Sequence, residues 1–224
     1  MSLLVKICGL NAPDALEAAL VEGADMVGFV FFKPSPRHVT PDAARALGAR
    51  VRGGVRKVAL SVDADDATLA ECIEALAPDL LQLHGRESPQ RVAMVRARFG
   101  LPVMKAIPVA VREDLDAVAR YAQVADWLVF DARAPREATR PGGLGQPFDW
   151  RLLQGLDIAV PFMVSGGLDA GNVAEAVRLT RAAAVDVSSG VERAPGVKDP
   201  EKIRAFIRAA RAAERDLAKL TGAI

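Results

Sequence analysis

Cysteine and histidine are scarce in this sequence, and their scarcity excludes several classes of protein. The 224 residues include two cysteines, Cys8 and Cys72, so neither a disulfide framework nor a cysteine-rich metal site fits the chain. The two histidines, His38 and His84, form no helical metal-binding motif, which argues against a metal centre. We therefore expect a protein of the reducing cytoplasm that binds no metal.

Excess charge and long apolar runs are also missing. The net charge of +1 is too small for the strongly basic surface of a nucleic-acid-binding domain or for electrostatic attachment to a membrane. No apolar run approaches the roughly 20 residues of a membrane span, and no signal peptide fits before the first strand pattern. Because 51% of the residues are hydrophobic, we expect a globular protein with a sizeable core.

Short apolar strands alternate with helical patterns along the chain. The predicted strands are nearly continuous apolar runs, typical of a buried parallel sheet: Leu4–Cys8, Met26–Phe31, Lys57–Val62, Leu80–Leu83, Val103–Ile107, Trp127–Asp131, Phe162–Ser165 and Ala184–Val187. The predicted helices are Pro13–Glu22, Pro41–Val51, Asp66–Leu76, Pro89–Phe99, Arg112–Tyr121, Trp150–Gln154, Asn172–Arg178 and Pro200–Leu220. This pattern predicts an α/β protein, a single (β/α)8 TIM barrel over residues 1–224. A doubly wound open sheet is less favoured because no Gly-x-Gly-x-x-Gly follows the first strand.

Two turns of small residues follow the last two predicted strands. A Gly-Gly pair is by itself more often a plain tight turn than a binding site. Near the end of a repeating βα chain, however, two such turns can present backbone N–H groups side by side to a phosphate. The residues expected to hold the phosphate are Gly166, Gly167, Ser188, Ser189 and Gly190.

Catalytic residues of such barrels lie at the C-terminal ends of the strands. Cys8 ends the first strand, where a thiol can act as general base or nucleophile, although a role in packing fits equally well. Asp131 ends the sixth strand after four apolar residues, and a carboxyl is costly to bury there without a purpose or a partner. We interpret Asp131 as a general acid; the alternative is an ion pair with Arg133 or Lys105.

Three further features of the predicted rim are candidates for substrate binding. Arg37 follows a Ser-Pro turn, and its planar guanidinium suits a carboxylate if it points inward. His84 ends the fourth strand, where it can line the pocket or cap the next loop. The glycine-rich loop that includes Gly143 can add backbone donors to the phosphate site or can simply be flexible.

The ordered set of these motifs resembles the phosphoribosylanthranilate isomerase family of tryptophan biosynthesis. The matching pieces are Lys6–Gly9, Gly28–Phe31 with Ser35–Arg37, Leu81–Gly85, Asp131 with Gly142–Gly145 and Phe148–Trp150, Ser165–Leu168 and Asp186–Glu192. Each piece is weak alone, but the set spans nearly the whole chain. The sequence departs from the family pattern at Leu144, where a small polar residue is common, and at Arg133, where we expect lysine.

The resemblance implies a (β/α)8 barrel enzyme that uses neither cofactor nor metal. It implies an Amadori rearrangement of N-(5-phosphoribosyl)anthranilate with Cys8 as general base and Asp131 as general acid. Arg37 then looks like the ligand of the anthranilate carboxylate. The turns at Gly166, Gly167 and Ser188–Gly190, with Gly143, look like the phosphate cradle.

Two other functions remain open from the sequence. One is a different phosphosugar barrel enzyme, similar to indole-glycerol-phosphate synthase, with Lys105 as a rim acid, or to a histidine-pathway isomerase. The other is a catalytically silent barrel that only binds a phosphometabolite. The expected partner in each case is a small phosphosugar rather than nucleic acid or membrane, and the chain can be a monomer or a homodimer.

Overall fold

Eight parallel strands close into a barrel in the computed structural model, which describes residues 2–135, 137, 142, 145, 147–220 and 222. The strands follow one another in chain order, and the last pairs with the first. They are β1 (Leu4–Cys8), β2 (Met26–Phe31), β3 (Arg56–Ser61), β4 (Leu80–Leu83), β5 (Val103–Val109), β6 (Trp127–Ala132), β7 (Phe162–Val164) and β8 (Ala184–Val187). The predicted TIM barrel is thereby confirmed, with small differences at some strand ends.

Helices connect the strands and begin close to the predicted positions. They are α1 (Pro13–Glu22), α2 (Pro41–Gly48), α3 (Asp66–Leu76), α4 (Pro89–Phe99), α5 (Val118–Ala122), α6 (Val173–Thr180) and α7 (Pro200–Leu220). Side-chain caps fix several starts: Asp65 accepts the N–H of Thr68 before α3, and Ser88 accepts that of Arg91 before α4. These caps and the first-turn prolines explain why the starts are readable from sequence.

Two predicted helices are shorter and tighter than expected. The segment predicted as Arg112–Tyr121 is a 3₁₀ turn, Arg112–Ala117, followed by α5. The Asp114 carboxylate accepts the N–H groups of Ala110 and Val111, which stabilises this tight beginning. The segment predicted as Trp150–Gln154 is a single 3₁₀ turn, Trp150–Leu153, which Asp149 caps.

A short hairpin after β8 was not predicted. It consists of the antiparallel strands β9 (Glu192–Ala194) and β10 (Val197–Lys198), and it precedes α7. Gly196 turns the chain with a φ of +80°, a conformation that favours glycine. Its strands are too short to leave a periodic signal, which explains why the sequence did not reveal them.

Apolar side chains fill the barrel below its rim. Met26, Met104 and Met163 belong to one buried cluster with residues of the other strands from β2 to β8. Because these strands surround the axis, their side chains can meet only in the interior. A larger core lies between the sheet and the helices. The interior is therefore filled beneath the strand ends, and a ligand can bind only at the rim.

The last helix fastens the first strand to the rest of the fold. The Leu3 N–H donates to the Glu214 carboxylate at 2.8 Å, and the Arg211 guanidinium lies 2.7 Å from Asp25. Asp25 also accepts the Val5 N–H at 2.7 Å.

None of the helices in the described part of the chain has the length and apolarity that crossing a membrane requires.

Candidate active site

One cavity over the C-terminal ends of the strands contains most of the predicted site residues. Its volume is about 860 Å³, including the solvent-filled mouth. The predicted residues that line it are Cys8, Arg37, His84, Asp131, Gly166, Gly167, Ser188 and Ser189. Barrels of this kind bind small ligands at this end, so the cavity is the candidate active site.

Cys8 ends β1 and contributes its side chain to the cavity wall. The residue is 4% exposed, and its carbonyl accepts the hydroxyl of Ser188 at 3.2 Å. Burial raises the pKa of the Cys8 thiol, while the positive charge of Lys6 acts in the opposite direction. Cys72 instead packs in the helical core, where burial raises its thiol pKa to about 12. The two cysteines therefore differ as the sequence suggested: one borders a cavity and the other is packing.

Asp131 is the last residue but one of β6, and β7 and β8 separate it from Cys8 along one side of the barrel. Its Oδ2 lies 3.0 Å from His84 Nε2, and its Oδ1 accepts the N–H of Ala132 at 2.9 Å. The alternative ion pairs considered for Asp131 are wrong. Arg133 pairs with Asp114, which caps the turn after β5, and Lys105 pairs with Glu87 at 2.7 Å.

His84 links the interior of the barrel to Asp131. Its Nδ1 lies 3.0 Å from Gln82 Nε2, while its Nε2 faces Asp131. The imidazole ring therefore bridges the Gln82 amide and the Asp131 carboxyl. The next loop is capped by Glu87, which accepts the Gly85 N–H at 3.0 Å, so His84 faces the cavity rather than capping that loop.

Arg37 is held by an ion pair that the sequence did not reveal. Its Nε and Nη2 donate to the two carboxylate oxygens of Glu192 at 2.7 and 2.9 Å, and Lys198 Nζ lies 2.8 Å from the same carboxylate. Burial opposes the charge of Glu192, but the two cations outweigh it and lower the pKa of this carboxyl. Burial lowers the pKa of Lys198 to about 8 despite its partner.

The β9–β10 hairpin places this ion pair against the loop after β2. A Cβ at Gly196 would lie 2.3 Å from the Pro36 carbonyl oxygen, so only glycine allows the hairpin to pack this closely. The Asn11 side chain donates to the Gly196 carbonyl at 3.0 Å. The one available signal for Glu192 was its place at the end of the last matching motif, and Lys198 gave none.

The two small-residue turns border the cavity beside β7 and β8. Gly166 and Gly167 have φ values of +81° and +65°, and a Cβ at Gly166 would lie 2.4 Å from the Ala132 nitrogen. Gly190 does not line the cavity; a Cβ there would lie 1.9 Å from the Leu168 carbonyl oxygen, so its contribution is to let the two turns touch. Gly143 lies outside the described residues, as does Leu144, while Gly142 and Gly145 line the cavity.

A buried ion pair lies next to Cys8, and its carboxylate residue, Asp186, also borders the cavity. Lys6 Nζ is 2.9 Å from Asp186 Oδ1, and the Ser165 hydroxyl donates to Asp186 Oδ2 at 3.3 Å. The carboxylate therefore joins β1, β8 and the turn after β7. Within the described residues, no three His, Cys, Asp or Glu side chains are arranged to hold a metal ion.

Comparison with known sequences is consistent with this geometry. The family model described as N-(5'phosphoribosyl)anthranilate (PRA) isomerase matches residues 5–209. An N-(5'-phosphoribosyl)anthranilate isomerase of Nitrobacter winogradskyi is 65% identical over 221 residues, covering 99% of this chain and 98% of that protein. A relative of the same name from a Bradyrhizobium species is 67% identical over 214 residues, covering 96% and 98%.

Solved structures agree with the fold as well. The phosphoribosyl anthranilate isomerase of Thermotoga maritima superposes with a TM-score of 0.85 at 32% identity, covering 94% of this chain and 99% of that one. A second isomerase structure, with the same coverage, a TM-score of 0.79 and 29% identity, is a complex with reduced 1-(o-carboxyphenylamino)-1-deoxyribulose 5-phosphate. A third structure describes monomers generated from the dimeric Thermotoga enzyme, at a TM-score of 0.79.

Proposed function

Because the chain belongs to the N-(5'-phosphoribosyl)anthranilate isomerase family and is an isomerase of tryptophan biosynthesis, we propose that Cys8 and Asp131 are its general base and general acid. The reaction converts N-(5-phosphoribosyl)anthranilate to 1-(2-carboxyphenylamino)-1-deoxyribulose 5-phosphate. The observation that supports the two roles is that a thiol and a carboxyl from separate strands border the same cavity.

The chemistry needs one proton donor and one proton acceptor. Protonated Asp131 donates to the ring oxygen of the ribose, and the ring opens to an iminium ion. The Cys8 thiolate then removes the proton from the adjacent C2 carbon, and the resulting enolamine tautomerises to the ketone. The iminium accepts the electron pair, so the two side chains suffice, each contributing about 10²–10⁴-fold.

The remaining cavity residues position the substrate. Gly166, Gly167, Ser188 and Ser189 surround the proposed phosphate site with main-chain groups and hydroxyls. Arg37 pairs with Glu192 but also lines the cavity, and it is the proposed ligand of the anthranilate carboxylate. Anchoring both ends of the substrate keeps the ribose carbons near the two catalytic groups.

Turnover by two single variants tests the catalytic roles. Cys8→Ala and Asp131→Asn are each expected to lose at least about 100-fold in kcat, measured by the fluorescence of freshly prepared substrate. Cys72→Ala is the matched control, since that thiol lies in the helical core away from the cavity. Near-normal turnover by either catalytic variant would refute the role assigned to that residue.

The two alternative functions receive less support from the structure. A rim lysine acid would need Lys105 in the cavity, but this side chain is 2% exposed, pairs with Glu87 and does not line the cavity. A silent binding barrel leaves the placement of both Cys8 and Asp131 unexplained. Lys105→Met turnover and calorimetry with a substrate analogue separate these alternatives from the isomerase.

The setting of the enzyme is also part of the proposal. We expect one catalytic domain over residues 1–224, acting in the cytoplasm on a small phosphosugar without nucleic acid or membrane partners. Both described cysteines are free, which supports a reducing compartment. Monomer and homodimer both fit, and light scattering of the purified chain decides between them.

A further inference from the structure

Lys6 and Cys8 lie on the same face of β1. They are two positions apart in a strand, so their side chains point to the same side, into the barrel. The Lys6 side chain is 0% exposed, and Asp186 is the carboxylate that balances its charge at 2.9 Å. Burying a lysine costs free energy that an apolar residue in the same place would not cost. We therefore expect the charge of Lys6 to have a function.

The facing position on β2 is a glycine, and it leaves room for the two side chains to approach. Gly28 pairs with Cys8 across the strands. A Cβ built on Gly28 would lie 3.0 Å from Cys8 Sγ and 3.2 Å from Lys6 Nζ. The sulfur and the ammonium thus both border the small space that the missing methyl group leaves.

We propose that Lys6 is a positioning residue for Cys8. The Lys6 ammonium stabilises the thiolate form of Cys8 in the buried end of the cavity. This inference rests on the proposed role of Cys8 as general base. Asp186 holds the ammonium in place and remains bound to it, so Lys6 acts as a fixed charge rather than as a proton donor to the substrate.

The charges around Cys8 support this assignment. Burial raises the pKa of the thiol, Lys6 on its own strand and Lys198 on β10 lower it, and Asp186 on β8 raises it. Lys198 is bound to Glu192, as is Arg37, whose side chain packs against Gly9 beside Cys8. Among the cations, Lys6 has the largest effect on the thiol.

The test is the pH dependence of Cys8 alkylation by iodoacetamide, followed by mass spectrometry so that Cys72 is counted separately. In Lys6→Met the apparent pKa of Cys8 is expected to rise by about one unit or more, since an adjacent opposite charge is lost. At a fixed pH below that pKa, the alkylation rate falls about 10-fold or more. Lys105→Met is the control, because it removes another buried, carboxylate-paired lysine that is not among the charges acting on Cys8.

A second variant keeps the proposal testable if Lys6→Met does not fold. Gly28→Ala retains every charge and places a methyl group between sulfur and ammonium, so a smaller upward shift of the same kind is expected. Gly48→Ala is its control, since a Cβ there meets Leu76 at 3.0 Å in the helical layer. A folded Lys6→Met protein with the normal alkylation profile overturns the proposal, and if that variant is unfolded, a normal profile in Gly28→Ala does so.

Alkylation reports the state of the thiol whether or not Cys8 takes a proton from substrate. A failure of the general-base assignment would instead appear as turnover by Cys8→Ala. The two results therefore separate a wrong role for Lys6 from a wrong role for Cys8.

Discussion

His84 Nε2 lies 3.0 Å from Asp131 Oδ2, and Gln82 lies 3.0 Å from the other ring nitrogen. The chain of three polar side chains begins in the barrel interior, where Gln82 is 0% exposed, and ends at the cavity. The contact with His84 therefore holds the Asp131 carboxyl in position, and Gln82 on β4 in turn orients the histidine ring.

Replacement of His84 tests this arrangement. In His84→Ala the Asp131 carboxyl loses its partner and its fixed orientation, so we expect kcat to fall about 10- to 100-fold. The measurement is steady-state turnover in the single variant and in the Asp131→Asn background. Because the histidine acts through the carboxyl, the loss should be much smaller in that background, and an equal loss in both would contradict the prediction.

Glu192→Gln tests the ion pair that holds Arg37. The change leaves the Arg37 and Lys198 cations buried without their carboxylate, so we expect the free energy of unfolding to fall by about 3–5 kcal/mol. Urea unfolding measures this loss, and KM is expected to rise because Arg37 is no longer held in place. Glu17→Gln removes the carboxylate of the exposed Arg52 pair and is expected to have little effect on either quantity.

Two of the buried carboxylates, Glu87 and Glu192, are expected to make stability depend on acid pH. Burial opposes the charges of Glu87 and Glu192, but their cationic partners outweigh it, so both folded-state pKa values lie below the ordinary 4.5. A depressed carboxyl pKa contributes stability that is complete above the unfolded pKa and is lost as pH falls through the folded one. We therefore expect thermal stability to decline below pH 4.5.

The matched variant for this acid decline is Glu87→Gln. It removes one of these two buried carboxylates, so its melting temperature should be lower near neutral pH and should change less steeply below pH 4.5. An acid decline as steep as in the unchanged protein would show that other groups cause it. Circular dichroism melts over the acid range provide the measurement.

The contact between the two small-residue turns can be tested at Gly190. In Gly190→Ala the new methyl group meets the Leu168 carbonyl, so the turns must separate. We expect KM to rise and inhibition by inorganic phosphate to weaken, because the proposed phosphate site widens. Gly54→Ala is the control: its φ is +76° with open space around it, so it costs about 1–2 kcal/mol of stability but leaves phosphate inhibition unchanged.

The sequence predicts local features of this protein better than its long-range pairs. The apolar runs and helix starts place the barrel strands, and the strand-end rule brings Cys8, His84 and Asp131 to one cavity as the structure has them. Each of these follows from a periodicity or a residue type within a short window. The role expected of Gly190 as a direct phosphate contact stays a prediction, since it borders Leu168 rather than the cavity.

The partners of the buried charged residues could not be predicted from the sequence. The partners of Arg37 and Lys6 lie 155 and 180 positions away, and nothing in a local pattern selects them from the other acidic residues. For the same reason, Asp131 was assigned nearby cations as alternative partners. A titratable residue in a strand of a closed barrel can be paired with any other strand, and only the folded arrangement decides which.

The closing contact between β1 and β8 has a consequence during synthesis on the ribosome. Lys6 and Asp186 stand 180 positions apart, so at ordinary elongation rates the first strand emerges about 10–40 s before the strand that completes its pairing. Throughout that interval β1 has an unpaired edge, and the cavity at the strand ends is incomplete. Turnover can begin only after β8 has been synthesised and has paired with β1.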